Sequence, residues 1–212
     1  MIKIQGFKTT SRGTLENLDK ECESRVEDLV NKINNSGLSQ KNKLKIIYDY
    51  LVNNCEILES FNMVGINQIP EEFAPGVTTA NKYGPILYNK GVCAGFSRAF
   101  KDLAKRCGIK TVMIEGKHNG FGHGWIVALD NFDGRKPKHI DVYAGIKNRH
   151  SNKDIYEFFM IDTDKLYASG EYLEFENDLE RAIEVLNDRI DDLDDEHKEE
   201  IIPGFRVTGR TD

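Results

Sequence analysis

The apolar residues of this chain recur at helical spacing in four separate stretches. Two of them predict N-terminal helices, at residues 14–35 and 39–54, each with one apolar face. A third predicted helix covers residues 93–108, and a fourth, at 177–201, carries acidic residues opposite its apolar seam. Each apolar face needs a partner, so we expect the helices to pack against one another or against a central sheet.

The apolar face of the third helix consists of residues spaced alternately by three and four: Cys93, Phe96, Phe100, Leu103 and Cys107. Cys93 stands at the N-terminal end, where free backbone N–H groups and the helix dipole favour a thiolate. By position alone, Cys93 is equally well interpreted as a buried structural cysteine. Cys22, Cys55 and Cys107 lie in helical apolar series without a C-x-x-C pair, so we expect reduced core cysteines.

Strand patterns follow this helix. Residues 110–115 are rich in β-branched side chains, and residues 123–129 alternate so that His123 and Trp125 share one face. A turn at 130–134 leads to residues 138–143, which we predict as a third strand.

On that third strand Asp141 shares a face with His139 and Tyr143, and residues 155–161 are predicted as one more strand. Neighbouring strands joined by a turn are normally antiparallel. We therefore expect His123 and Asp141 to face each other across the sheet.

The segment 56–82 has little periodicity and contains Pro70 and Pro75. Long connections without regular structure are uncommon and often functional. Two interpretations are equally supported by the sequence: this segment lines a substrate groove, or it covers hydrophobic surface.

Length and composition favour a soluble single domain covering residues 1–212. The chain is 39% hydrophobic and 30% charged with a net charge of −6, which offers no basic surface for nucleic acid. No apolar run approaches the roughly 20 residues that span a bilayer, and the N-terminal residues lack the apolar stretch of a secretory signal. We therefore expect no nucleic-acid or membrane partner and a cytoplasmic location.

Cys93, His123 and Asp141 together form a candidate catalytic triad. A thiolate attacks a carbonyl best when an imidazole can exchange its proton, and a carboxylate orients that imidazole and favours its charged form. A helix start and two adjacent strands can bring these side chains together.

A metal or other cofactor is not expected from the sequence. Zinc sites use closely spaced ligands, and His118 and His123 with His139 and Glu115 do not have a recognised spacing. We interpret His118, His139, His150 and His197 as surface or hydrogen-bonded residues.

Residues 83–143 contain three motifs, YGPILYNKGVCAGFSRAFKDLAKRCGIKTVMIEG, GHGWIVAL and KHIDVYAG. These motifs resemble the core of the transglutaminase-like superfamily in its bacterial form. The matching positions are Gly91, Val92, Cys93, Gly95, Phe96, Gly108, Ile109, His123, Trp125 and Asp141. In the helical N-terminal part, at 1–55, the helix before this core matches loosely, and the last 50 or so residues match hardly at all.

This resemblance implies a papain-like α+β fold, with N-terminal helices, a helix that starts at the catalytic cysteine and packs on an antiparallel sheet, and a C-terminal helix. It also implies that Cys93 is the nucleophile, His123 the general base and acid, and Asp141 the orienting carboxylate. The chain departs from the family at Ile126, where asparagine is frequent, and at Tyr143-Ala144, where Thr-Trp is frequent. These departures concern substrate preference more than the triad.

The oxyanion formed on attack needs hydrogen-bond donors. The backbone N–H of Cys93 is one, and a side chain from the preceding segment would be a second. Tyr83 is our first candidate, followed by Tyr88 and Asn81, although each is also compatible with a packed surface role. We expect Trp125 to form the wall of the site.

The expected function is cysteine-dependent processing of an amide in a protein or peptide substrate through a thioester. Water as the second nucleophile would make the chain a peptidase or deamidase, and an amine would make it a transglutaminase-type acyltransferase. The alternative is a catalytically inactive module that binds peptides or proteins on the same fold, with residues 70–81 and the acidic last helix as its surface.

Overall fold

The computed structural model describes residues 12–58, 72–129 and 136–187, which form an α+β fold. The helices are α1 (Arg12–Asn34), α2 (Gln40–Asn54), α3 (Tyr83–Tyr88), α4 (Cys93–Arg106), α5 (Val142–His150), α6 (Thr163–Ala168) and α7 (Glu176–Asn187). The strands are β1 (Glu56–Ile57), β2 (Lys90–Gly91), β3 (Thr111–His118), β4 (Phe121–Leu129), β5 (Pro137–Ile140), β6 (Phe159–Asp162) and β7 (Tyr172–Leu173).

The predicted helices at 14–35, 39–54 and 93–108 are confirmed as α1, α2 and α4. The Ser39 side chain caps α2 by accepting a hydrogen bond from the backbone N–H of Asn42. Gly108, just beyond α4, adopts φ +71°, the left-handed conformation that commonly ends helices. None of the described helices is long and apolar enough to cross a membrane.

The main sheet has five antiparallel strands in the order β6-β5-β4-β3-β7. β3 and β4 form a hairpin whose turn residues, Asn119 and Gly120, both have positive φ, as a tight hairpin turn requires. β5 lies antiparallel beside β4. This confirms the predicted pairing between the strand that contains His123 and the strand that precedes Asp141. A parallel pair, β1 and β2, joins the end of α2 to the approach to α4.

From His123 to Leu129 both faces of β4 are buried, and each face packs against different elements. Ile126 lies in the cluster that contains Phe100 of α4, whereas Trp125 lies in the cluster that contains Phe175 and Leu186. The alternation predicted for residues 123–129 is thereby confirmed. The strand is buried on both faces because α4 covers one side of the sheet and α7 covers the other.

The prediction of one strand over residues 138–143 is wrong. β5 ends at Ile140, and Asp141 is the N-cap of α5, where its Oδ1 accepts a hydrogen bond from the backbone N–H of Ala144 at 3.0 Å. A carboxylate at this position satisfies a free N–H group and starts a helix. Val142 and Tyr143, which have high strand propensity, therefore enter a helix instead.

Three other expectations need correction or extension. The approach to Cys93 contains a short helix, α3, which the sequence did not predict. Pro85 is compatible with it, because in the first turn it has no intrahelical hydrogen bond to lose. The strand predicted at 155–161 is confined to β6. The polar stretch that follows contains α6 and β7, which the sequence did not predict.

Some predictions lie partly or wholly outside the described residues. These are the turn at 130–134, residues 59–71 of the connecting segment, His197 and the part of the C-terminal helix beyond Asn187.

α5 packs against α2 at a contact that only glycine allows. A Cβ atom on Gly145 would lie 2.1 Å from the hydroxyl oxygen of Tyr48, which is fully buried. That hydroxyl donates a hydrogen bond to the backbone carbonyl of Ile155 at 2.5 Å. The close contact fixes the helix that Asp141 caps.

We expect Gly145→Ala to lower the free energy of unfolding by about 1–3 kcal/mol, because the new methyl group would displace a buried side chain. Urea denaturation measures the change. Gly13→Ala in α1 is the matched control, since a Cβ there meets no atom within 4 Å. Equal denaturation midpoints for the two variants would contradict this account of the helix contact.

Candidate active site

Cys93 is the first residue of α4, as the sequence predicted. The preceding Val92 is extended and has no capping side chain, and its backbone N–H donates to the carbonyl of Thr79 at 3.0 Å. A Cβ atom on Gly95 would lie 2.2 Å from the same carbonyl oxygen. The glycine therefore lets the segment before α3 lie directly against the first turn of α4, beside the thiol.

The start of α4 is joined to β4 at Gly124. The hydroxyl of Ser97, one turn after Cys93, donates to the carbonyl of Gly124 at 2.9 Å. Interaction with the backbone N–H of Gly124 also helps to lower the pKa of Cys93. This arrangement holds Cys93 next to His123, which precedes Gly124 on the strand.

The three predicted triad residues lie together. Interaction with the His123 imidazole lowers the pKa of the Cys93 thiol, and Nε2 of His123 lies 2.6 Å from Oδ2 of Asp141. His123 is 8% exposed and Asp141 2% exposed, whereas Cys93 is partly exposed. The reactive sulfur is accessible while the pair that would control its proton is buried.

The carboxylate of Asp141 accepts hydrogen bonds from donors on three elements. His123 of β4 and the hydroxyl of Tyr172 of β7 both contact Oδ2, the latter at 2.7 Å, and the Ala144 N–H of α5 contacts Oδ1. Burial alone would raise the pKa of Asp141, but the charge of His123 and these hydrogen bonds outweigh it and lower the pKa. The carboxylate is therefore ionised despite its burial.

The thiol and the imidazole shift each other's pKa in opposite directions. Burial opposes the charged form of both, but the charge and hydrogen bond of Asp141 raise the pKa of His123 above its ordinary value. The hydrogen bond and charge of His123 in turn overcome burial and lower the pKa of Cys93. The start of a helix adds to this effect. The pair favours a thiolate beside an imidazolium near neutral pH.

The other cysteines have the opposite character. Burial raises the pKa of Cys22 and of Cys55 to about 12, and it also raises the pKa of Cys107. All three are buried, as expected for core cysteines. Cys93 is the cysteine suited to act as a nucleophile.

Trp125 lies behind the His123 imidazole. Its ring is stacked on His123 with centroids 5.8 Å apart, and its Nε1 donates to Nδ1 of His139 at 3.0 Å. Nε2 of His139 lies 3.0 Å from the hydroxyl of Thr163, and burial lowers the pKa of His139 to about 4. His139 is therefore neutral near pH 7 and fixes the Trp125 ring by a hydrogen bond.

His118 is close to the site, although we interpreted it from the sequence only as a surface or hydrogen-bonded residue. Its ring centroid lies 5.0 Å from that of His123, and it stacks on Tyr172 at 4.5 Å with an interplanar angle of 9°. Its Nε2 lies 3.2 Å from the Glu171 carboxylate. The Asn-Gly pair after His118 was the available signal, because a tight hairpin there brings His118 and His123 onto one face of adjacent strands.

His118, His123 and Asp141 are also the described residues whose ligand atoms come close enough to consider a metal ion, lying within 4.8 Å of one another. Two histidines and an aspartate are donors that zinc accepts. However, Oδ2 of Asp141 already accepts hydrogen bonds from His123 and Tyr172. A metal bound there would have to displace the hydrogen bond between His123 and Asp141, so the arrangement is better suited to proton transfer.

The three candidates for a second oxyanion donor have other partners. The Tyr83 hydroxyl donates to Asp19 of α1 at 3.2 Å, and the Asn81 amide bonds the backbone of Gly76 and Thr78. The Tyr88 hydroxyl accepts the backbone N–H of Ala74 at 2.9 Å. These bonds hold the segment before Cys93 in place, and an oxyanion role for these side chains stays a prediction.

No protein-family model matches the sequence, and the comparison with curated proteins finds no relative. Several solved structures are similar to this chain, and two of them illustrate the likeness. One, a TGase, is 15% identical with a TM-score of 0.46, and the match covers 66% of this chain and 34% of that one. The other, a proposed cysteine protease from Cytophaga hutchinsonii, is 15% identical with a TM-score of 0.42, and the match covers 64% and 43%. The chain thus spans less than half the length of either protein.

We expect Asp141→Asn to slow alkylation of Cys93 by iodoacetamide about tenfold or more at pH 6–7 and to move its midpoint up toward the ordinary thiol value of about 8.5. Loss of the negative charge lowers the pKa of His123, and a neutral imidazole no longer stabilises the thiolate. Mass spectrometry of the Cys93 peptide across pH measures the rate.

The matched control is Asp164→Asn, which makes the same change at an exposed position of α6. It should leave the alkylation profile unchanged. If Asp141→Asn also leaves the profile unchanged, Asp141 does not control the charge of the thiol.

Proposed function

We propose that this chain is a cysteine-dependent amide-processing enzyme of the transglutaminase-like superfamily. The observation that carries the proposal is the buried hydrogen bond between His123 and Asp141 together with the partly exposed thiol of Cys93, whose pKa is lowered by interaction with His123. Nucleophile, proton carrier and orienting carboxylate are the three groups that acyl transfer through a thioester requires.

In the first half-reaction the Cys93 thiolate attacks the carbonyl carbon of an amide. The backbone N–H of Cys93, at the free start of α4, is a donor available to the oxyanion that forms. The His123 imidazolium then gives its proton to the departing nitrogen, the C–N bond breaks, and a thioester remains on the sulfur. Asp141 holds the imidazole in orientation and stabilises its positive charge throughout.

The second half-reaction reverses the proton transfer. His123, now neutral, takes a proton from water or from an acceptor amine as it attacks the thioester carbon. The C–S bond breaks, and the thiolate and the imidazolium are regenerated. Water completes a peptidase or deamidase reaction, and an amine completes a transglutaminase-type transfer, so the acceptor decides between them. The proposed substrate is an amide of a protein or peptide.

An inactive binding module on the same fold is the less favoured interpretation. Such a module would not require a buried aspartate with three hydrogen-bond donors, a raised histidine pKa or a lowered cysteine pKa. It would also tolerate an occluded thiol, whereas Cys93 is partly exposed. These features support catalysis.

Cys93→Ala is expected to reduce activity about a thousandfold or more, because the thioester can no longer form. The assay should combine three readouts on a mixed peptide library: peptide cleavage by mass spectrometry, ammonia release, and incorporation of a fluorescent primary amine. The three readouts separate peptidase, deamidase and transferase outcomes.

Cys107→Ala is the control, since it removes a buried thiol at the other end of α4. It should retain activity in whichever readout the native chain shows. Activity that persists in Cys93→Ala would refute the mechanism.

A further inference from the structure

Phe121 is the most exposed large hydrophobic side chain in the described part of the molecule, at 78%. It is the first residue of β4, directly after the Asn119-Gly120 turn. A single exposed apolar residue is common on protein surfaces and needs no explanation by itself. The position of Phe121 relative to the catalytic pair is what gives its exposure meaning.

Phe121 lies on the same face of β4 as His123. Side chains two residues apart on a strand point to the same side and are about 6.6–6.8 Å apart along it. Trp125 is the next residue on that face and lies behind the imidazole. The face therefore presents, in order, an exposed ring, the catalytic imidazole and a buried ring.

The aromatic ring of His118 lies next to both Phe121 and the His123 imidazole. His118 of β3 is the direct cross-strand partner of Phe121 and, on its other side, of Tyr172. The His118 ring stacks on Tyr172 and lies 5.0 Å from the His123 ring by centroids. The His118 side chain is only 10% exposed, so it can form the bottom of a subsite without projecting into it.

No side chain adjacent in sequence covers Phe121. Its neighbours Gly120 and Gly122 have no other atom within 4 Å of where a Cβ would stand. Gly124 differs, because a Cβ there would lie 2.5 Å from Met113. The residues flanking Phe121 therefore leave its ring uncovered, and the first closely covered glycine of the strand, Gly124, lies on the face opposite to Phe121 and His123.

We infer that Phe121 and its cross-strand neighbour His118 form a subsite for an apolar side chain of the substrate. This side chain lies on the amine side of the bond that is processed. The inference rests on the proposed function. His123 gives its proton to the departing amine, so that part of the substrate lies on the imidazole side of the sulfur. Phe121 continues the same face outward from the imidazole. An incoming acceptor amine occupies the same place, because the second half-reaction retraces the first.

Leu173 provides a matched control. It is also an exposed apolar residue, at 46%, and it also lies near the hairpin. Its cross-strand partner is Lys117, whereas its neighbour Tyr172 pairs with His118. Leu173 therefore lies on the opposite face of the sheet from Phe121 and His123.

The test loads Cys93 with a small activated ester, N-acetylglycine p-nitrophenyl ester, and offers two competing amines, phenylalanine amide and glycine amide. Mass spectrometry measures the ratio of the two amide products. We expect the native chain to prefer phenylalanine amide about tenfold or more, and Phe121→Ser to bring the ratio close to one. Phe121→Leu should retain most of the preference, and Leu173→Ser should leave it unchanged.

Two failures can be told apart. If the ester leaves no acetylglycyl group on Cys93, the proposed function and the subsite are both overturned, because the subsite is defined by that thioester. If the acyl-enzyme forms but Phe121→Ser keeps the native product ratio, or the native chain uses both amines equally, the proposed function stands and the subsite is refuted.

Discussion

The hydrogen bond between His123 and Asp141 is the interaction on which the rest of this structure depends. Two ionisable groups with this little exposure would be costly to bury if either lacked partners. Asp141 meets this condition through donors from β4, from β7 and from α5, the helix that it caps. The folded arrangement of these elements and the ionised state of the carboxylate therefore require each other.

This dependence links stability to chemistry. Asp141 caps α5 with one carboxylate oxygen and holds the His123 imidazole with the other. α5 is held in place by the contact of Gly145 with Tyr48, and β4 is held by its contacts with the start of α4. The position of the thiol relative to the imidazole thus follows from packing on both sides of the sheet.

Periodicity and local chemistry were sufficient to predict much of this fold and the three central residues. The three- and four-residue spacing predicted α1, α2 and α4, and strand alternation with antiparallel pairing brought His123 and Asp141 together. α5 was missed because Val142 and Tyr143 favour strands and the capping role of Asp141 becomes visible only when the helix is seen. Tyr172 could not be predicted, because it comes from a two-residue strand without any periodic pattern. The position of His118 near His123 could have been predicted from the sequence, because the Asn-Gly pair after His118 indicates a tight hairpin turn.

The protonation state of the His123 imidazole at pH 7 tests the central claim most directly. Nitrogen NMR of the ring in the native chain reports it before and after alkylation of Cys93. Our account predicts that both ring nitrogens carry protons at pH 7 while the thiolate is intact, and that the pKa of His123 falls when alkylation removes the negative charge of the sulfur. A neutral ring with one unprotonated nitrogen at pH 7, unaffected by alkylation, would contradict it.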